Sequence, residues 1–350
     1  MLGQLVSRIP QVKFFITSRP ETNILVGFRG QLLKTATHIF ILHHVEPSTI
    51  DEDICCFFKH ELSKLAQRRG GMNDQPTDGE LNLLCQRAAG YFVCAVATVN
   101  FLDHHLQDSL DQLDVIMAVP ESTIHEGETE LKVYTSLDSL YMSIFQKSFL
   151  KNKAKDDVMV CSILSTVLLV TNPLSLSGIA TLTVFRQNQV YHLLGLIQSL
   201  LILPEDPNHP IQPFHKSFLD FITDPTCCID TQFYISPKYH SELVLCCFKL
   251  MGKSLRKNMC SIPDYALNSE VEDLPKRIED SGIHGALEYA CRSWYKHLVV
   301  TGHWTLDAIS ALGDFLKGKF ILWLEVLSVL GTMGSAVHAL NVTIKWLNQV

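Results

Sequence analysis

Several signatures that would have settled the matter early are missing from this sequence, and each absence narrows what the chain can be. No two of its eleven cysteines are spaced Cys-x-x-Cys, and the count is odd, so neither a zinc site nor a disulfide framework is indicated. The doublets Cys55-Cys56, Cys227-Cys228 and Cys246-Cys247 lie in apolar periodic segments where neighbouring side chains point apart. They read as buried thiols of a reducing, cytoplasmic setting. Basic charge is scarce: 29 Lys and Arg stand against 36 Asp and Glu, for a net charge of -7. With no basic face to neutralise phosphates, nucleic acid is not an expected partner. Long apolar runs are scarce too. Residues 158–170 fall short of the roughly 20 a membrane span needs, and Glu325 interrupts residues 320–330, so no membrane association is expected. The first residues lack the charged start, apolar core and small-residue cleavage site of a signal peptide.

Two catalytic patterns are missing as well. A nucleoside triphosphatase of the P-loop class needs Gly-x-x-x-x-Gly-Lys-(Ser/Thr) to wrap phosphates and an acidic strand end to hold Mg²⁺. Gly252-Lys253-Ser254 mimics the end of that motif, but position 247 is Cys and the triplet follows an amphipathic helix instead of joining a strand to one. No acidic strand end precedes Lys13 either, so the Walker A and Walker B elements are both lacking. No Gly-x-Ser-x-Gly or Cys/His constellation supports a hydrolase.

What is present describes a globular chain. Its 350 residues, 47% apolar and 19% charged, suffice for two or three modules that each bury a core. The apolar run Lys13-Phe14-Phe15-Ile16 reads as a buried strand that Thr17 and Ser18 end and Pro20 closes, leaving Arg19 at its carboxyl end. In open α/β sheets ligands bind at that end, and a guanidinium there suits phosphate oxygens. A second strand is expected over residues 38–45, with a crossover helix between the two. Helical spacing then runs through Ile54, Phe57, Phe58, Leu62 and Leu65, with Ser48 or Thr49 as cap. It resumes from Glu80 to Val99. Residues 103–135 read as a helix-poor connector. Beyond it, apolar helices at 137–145 and 158–170, a further helix at 190–201 and a short hairpin through residues 200–203 and 211–215 lead to Phe214-His215-Lys216-Ser217-Phe218-Leu219-Asp220-Phe221. There a strand gives way to a helix that Ser217 can cap and that Phe214, Phe218 and Phe221 bury. The remainder is helical, strongest over residues 286–298 and around Trp323.

Three of these stretches carry a resemblance. Lys-Phe-Phe-Ile-Thr-Ser-Arg-Pro-Glu at residues 13–21 resembles the sensor-1 strand of NACHT nucleotide-binding domains, in particular those of filamentous fungi. The segment at residues 215–221 resembles the His-x-Ser-Phe-x-(Asp/Glu)-Phe segment of their winged-helix domain, and Ala89-Gly90-Tyr91-Phe92 with its small-residue helix looks like their helical domain. The resemblance implies a mainly α chain with a small α/β remnant. Residues 1–47 would be the distal part of a P-loop NTPase sheet, 48–102 a helical domain, 103–135 a linker, 136–224 a winged-helix domain and 225–350 a C-terminal helical arm. It implies that Arg19, with Thr17 and Ser18 beside it, faces a nucleotide's terminal phosphate and that His215 contacts the diphosphate of ADP. ATP or ADP with Mg would then be the cofactor of full-length relatives, and the switch would act on protein partners, full-length NACHT relatives among them. The competing expectations are a helical interaction scaffold with no nucleotide role, and an ATP-binding NTPase should the natural chain extend upstream of Met1.

Overall fold

The structure is a computed structural model that describes residues 12–18, 22–30, 33, 37–40, 45–68, 77–104, 129–150, 157–230, 232–283, 285–301 and 305–348. Among these residues the chain forms fifteen α-helices and one sheet of two strands, as a mainly α chain should. It divides into two units, Met1–Glu52 and Asp53–Val350.

In the first unit the expected crossover helix is present as α1 (Thr22–Arg29). The two strands it was to connect are not. Residues 12–18 and 37–40 lie outside any strand, and Phe15 and Phe40 are 95% and 69% exposed. The buried strand expected at Lys13-Phe14-Phe15-Ile16 and the first half of the one at 38–45 are therefore corrected; residues 41–44 lie outside the described residues. A strand must share its N–H and C=O groups with a neighbour, and no described residue offers one here. Helix α2 (Pro47–Arg68) begins at Pro47, whose fixed φ and missing N–H suit the first helical position. Thr49 and Ile50 donate to the Glu46 carbonyl at 3.0 and 3.4 Å, so Ser48 and Thr49 lie inside the first turn and do not cap it.

The second unit opens with the buried face of α2, where Ile54, Phe58, Leu62 and Leu65 recur at the expected period. Helix α3 (Asp78–Ala88) starts with a capping box: Thr77 accepts from the Glu80 N–H and the Glu80 carboxylate accepts from the Thr77 N–H. Ala89 and Gly90 turn through positive φ, 48° and 76°, into α4 (Phe92–His104), which packs on α3. Cys55 and Cys85, with Cα atoms 5.6 Å apart, form a disulfide. This corrects the expectation of thiols throughout: two residues 30 apart in sequence are brought within bonding reach, which spacing along the chain does not reveal. The other cysteines form no disulfide, and of the doublets Cys228 and Cys247 are buried, Cys227 and Cys246 half-buried and Cys56 exposed.

Helix α5 (Thr129–Leu150) starts inside the expected connector. Then come α6 (Asp157–Leu169), a lone bridge from Ser175 to Pro210, α7 (Leu176–Thr183) capped by Ser175, and α8 (Gln187–Leu196). A 3-10 turn (Gln198–Leu200) leads into β1 (Leu201–Ile202), which pairs antiparallel with β2 (Gln212–Pro213) in the register Leu201 to Pro213 and Ile202 to Gln212. Helix α9 (Lys216–Thr223) follows. Its Phe218 and Phe221 close on Tyr141 and Phe145 of α5, with ring centroids 5.4 to 5.7 Å apart, a spacing at which aromatic pairs attract. Phe214 stays outside this cluster, 38% exposed, because it precedes the helix and does not share its buried face.

The rest of the unit is a helical array: α10 (Lys238–Ser254), α11 (Leu274–Asp280), α12 (Gly285–Val300), α13 (Leu306–Gly318), α14 (Phe320–Val329) and α15 (Met333–Leu347). Gly252-Lys253-Ser254 is the last turn of α10, with no strand before it, as expected of a chance match. Helix α12 is the centre, packed by α7, α10, α14 and α15. Trp294 of α12 and Trp323 of α14 are wholly buried, their ring centroids 6.0 Å apart and edge to face. The Trp323 indole N–H donates to the Cys291 carbonyl at 2.8 Å, and Lys319 Nζ donates to the Leu255 carbonyl at 2.8 Å.

Candidate functional site

Of the residues the sequence singles out, Thr17 and Ser18 are exposed on irregular chain in the first unit, and Arg19 lies outside the described residues. His215, in the second unit, is exposed and is itself the N-cap of α9. Its Nδ1 accepts the Ser217 backbone N–H at 3.2 Å and lies 2.6 Å from Ser217 Oγ. The sequence made Ser217 the cap; the structure gives that role to the imidazole, two residues earlier.

The hydrogen bonds fix the tautomer. A backbone N–H only donates, so Nδ1 is an acceptor and a neutral ring carries its proton on Nε2. The same Nδ1 can take the Ser217 hydroxyl proton, and Ser217 Oγ then accepts from Tyr141 Oη, 2.8 Å away. Tyr141 is buried, and burial first, with the negative fields of Cys94, Asp138 and Asp220 behind it, pushes its phenol up to about 12 against the opposing Ser217 bond. It is a fixed neutral donor. The three side chains thus form a line, Tyr141 to Ser217 to His215, that holds the ring against the first turn of α9. Ser217 is not set up as a nucleophile, because its hydroxyl is already shared between Tyr141 and the cap. Lys216 is exposed beside it.

A second polar cluster escaped the sequence entirely. His240 near the start of α10 and His297 near the end of α12 meet Nδ1 to Nδ1 at 2.8 Å, and His297 Nε2 lies 2.5 Å from Tyr289 Oη. The Thr171 N–H donates to Tyr289 Oη at 3.4 Å, and the phenol hydroxyl can in turn donate to His297 Nε2. His297 then carries its proton on Nδ1 and donates to His240. Around this chain Thr171 Oγ1 bonds Ser293 Oγ, and Lys296 Nζ reaches Thr171 Oγ1, both at 3.3 Å. Burial, followed by the nearby His240 and Lys296, drops His297 to about 3; burial also lowers His240. Both rings are neutral near pH 7. His297 is 1% exposed, so the chain ties α10, α12 and the α6–α7 connector together and offers no face to a substrate. Nothing in the sequence signals it, since its partners lie 57 residues apart on different helices.

No set of three His, Cys, Asp or Glu side chains converges to hold a metal among the described residues, and no described helix is long and apolar enough to cross a membrane. No protein family, curated protein or solved structure matches this chain.

Proposed function

We propose that this chain is the C-terminal part of a NACHT-type nucleotide switch, acting through regulated protein interaction and without ATPase activity of its own. The observation that carries the reading is His215. His215 is exposed at the positive end of α9 with Nδ1 turned to the helix, a position that supports a role in reading a diphosphate. Three further features support it. The order α6, Ser175 bridge, α7, α8 and β1–β2 hairpin is that of a winged helix, with His215 directly after the hairpin. The helical array that follows has the place and composition of the arm expected over residues 225–350. The apolar run at residues 12–16, exposed and in no strand, leaves apolar surface open to a partner. Arg19 would read the terminal phosphate in that larger assembly, with Thr17 and Ser18 beside it and Mg²⁺ supplied with the nucleotide. The Walker elements that would wrap the phosphates are not in this sequence, so binding here is weak.

Thermal unfolding with and without MgADP tests the reading. For a dissociation constant of about 1 mM, roughly ten-fold excess ligand stabilises by about 1.4 kcal/mol. His215→Ala should abolish that shift. His215→Asp should abolish it too while keeping a good N-cap and offering no N–H, so that a frayed helix is not mistaken for a lost phosphate donor. An ADP shift equal in wild type and both variants, or steady ATP hydrolysis that Arg19→Ala removes, would overturn the proposal.

A further inference from the structure

A groove of about 450 Å³ runs between the α7–α8 corner and the C-terminal half of α10. Leu182 and Ala180, both buried, form its floor, and half-buried Phe185 stands on one wall. On the other wall are Lys249 and Lys253, both exposed and one helical turn apart on a single face of α10. Neither lysine forms an ion pair among the described residues. Lys253 is in the last turn of α10, where a cation offsets the helix dipole; Lys249 lies before that turn, beyond the reach of the effect. Glu242, further back on the same helix, has Lys238 as its cationic neighbour. In a chain of net charge -7, two adjacent cations with no ion-pair partner among the described residues favour an anionic visitor here.

We propose that this groove docks an extended acidic peptide segment of a partner protein. The spacing fits: residues four apart on a helix rise about 6 Å, and alternate side chains of an extended peptide are about 6.7 Å apart. Acids at alternate positions of the peptide face Lys249 and Lys253 in turn, while the intervening residues face the opposite wall at Phe185. A peptide of alternating acidic and apolar residues therefore satisfies both walls at once. An enclosed small molecule is the poorer occupant, because the buried lining residues, Ala180 and Leu182, are apolar and every polar side chain of the groove is exposed or half-buried. The proposal stands apart from the nucleotide reading and survives its failure.

Fluorescence anisotropy with the full chain and a short labelled peptide alternating aspartate with valine tests it. Saturable binding is expected, weakened at least about tenfold by Lys249→Glu with Lys253→Glu, and weakened severalfold as salt is raised. Thr181→Trp, an exposed position on the lining, should block the groove without altering charge and so abolish binding. Circular dichroism verifies that each variant is folded. The proposal is overturned by absence of saturable binding to the wild-type chain, by equal affinity for an asparagine–valine peptide, or by unchanged affinity in the charge-reversed variant. It is equally overturned if inorganic phosphate competes as well as the peptide, which marks a simple anion site. Self-association that the same variants abolish, with no peptide binding, marks the face as a contact between copies and overturns it as well.

Discussion

Acidification should weaken the helical array through His297, and the size of the effect follows from its surroundings. In the unfolded chain the imidazole titrates near 6.5, and in the fold at about 3. A base whose folded value is depressed binds its proton more readily when unfolded. Stability is therefore fully present above about pH 6.5 and falls as pH drops toward the folded value. Each unit of the gap is worth about 1.36 kcal/mol, so at pH 5 His297 alone removes about 2 kcal/mol relative to pH 7. His240 shifts in the same direction and adds to the loss. Burial is the main reason that neither ring accommodates the proton, with the neighbouring His240 and Lys296 adding to it at His297. Carboxylates titrate mostly below this window. Asp138 and Glu242, which burial raises, act with the opposite sign but are common to wild type and variant. Urea unfolding followed by tryptophan fluorescence is the appropriate assay, because the four tryptophans all lie within residues 294–346 of the sequence. The comparison is with His297→Phe, which fills the site with a group that does not titrate. Wild type should lose about 2 kcal/mol more than this variant between pH 7 and pH 5. Equal losses in the two proteins would refute the argument.

Three smaller effects can be read from single features. Trp294 Nε1 is buried without a hydrogen-bond partner among the described residues, whereas Trp323 Nε1 donates to Cys291; Trp323→Phe should cost about 1–2 kcal/mol more than Trp294→Phe in urea unfolding, and the reverse order would count against the reading. Val184 ends α7 at φ 63°, a left-handed conformation that a β-branched side chain adopts at a cost, and its side chain is 79% exposed. Val184→Gly should accordingly raise stability by roughly 1 kcal/mol, and a loss on substitution would show that contacts of the valine outweigh the strain. The Cys55–Cys85 bond closes a loop of 30 residues, so dithiothreitol should lower stability by about 3.6 kcal/mol in wild type and by nothing in Cys85→Ala. A non-reducing peptide map that lacks the linked pair would remove the basis for this.

What the sequence discloses here is governed by the range of each interaction. Residues 286–298 and 158–169 announce helices because their period lies within one element, and the Ser175 cap of α7 and the β1–β2 hairpin are equally local signals. Cys55 with Cys85, Tyr141 with Ser217, and His240 with His297 are joined only by tertiary packing, and no spacing along the chain encodes them. The run at residues 13–16 fails for a related reason: apolar composition licenses a strand, but only a neighbouring strand makes one, and none of the described residues is that neighbour. The candidate site divides along the same line. The start of a helix at His215 was legible from Phe218, Phe221 and the turn before them, but its capping atom was not, because the choice between Ser217 and His215 is made by Tyr141, 76 residues from the serine it holds. Tyr141 Oη bonds the serine hydroxyl, the serine hydroxyl and N–H bond Nδ1 at the edge of the imidazole, and a neutral ring carries its proton on Nε2. The orientation of His215 is thus set by the start of its own helix together with a tyrosine 76 residues from the serine, and only the helix start is written in the local sequence.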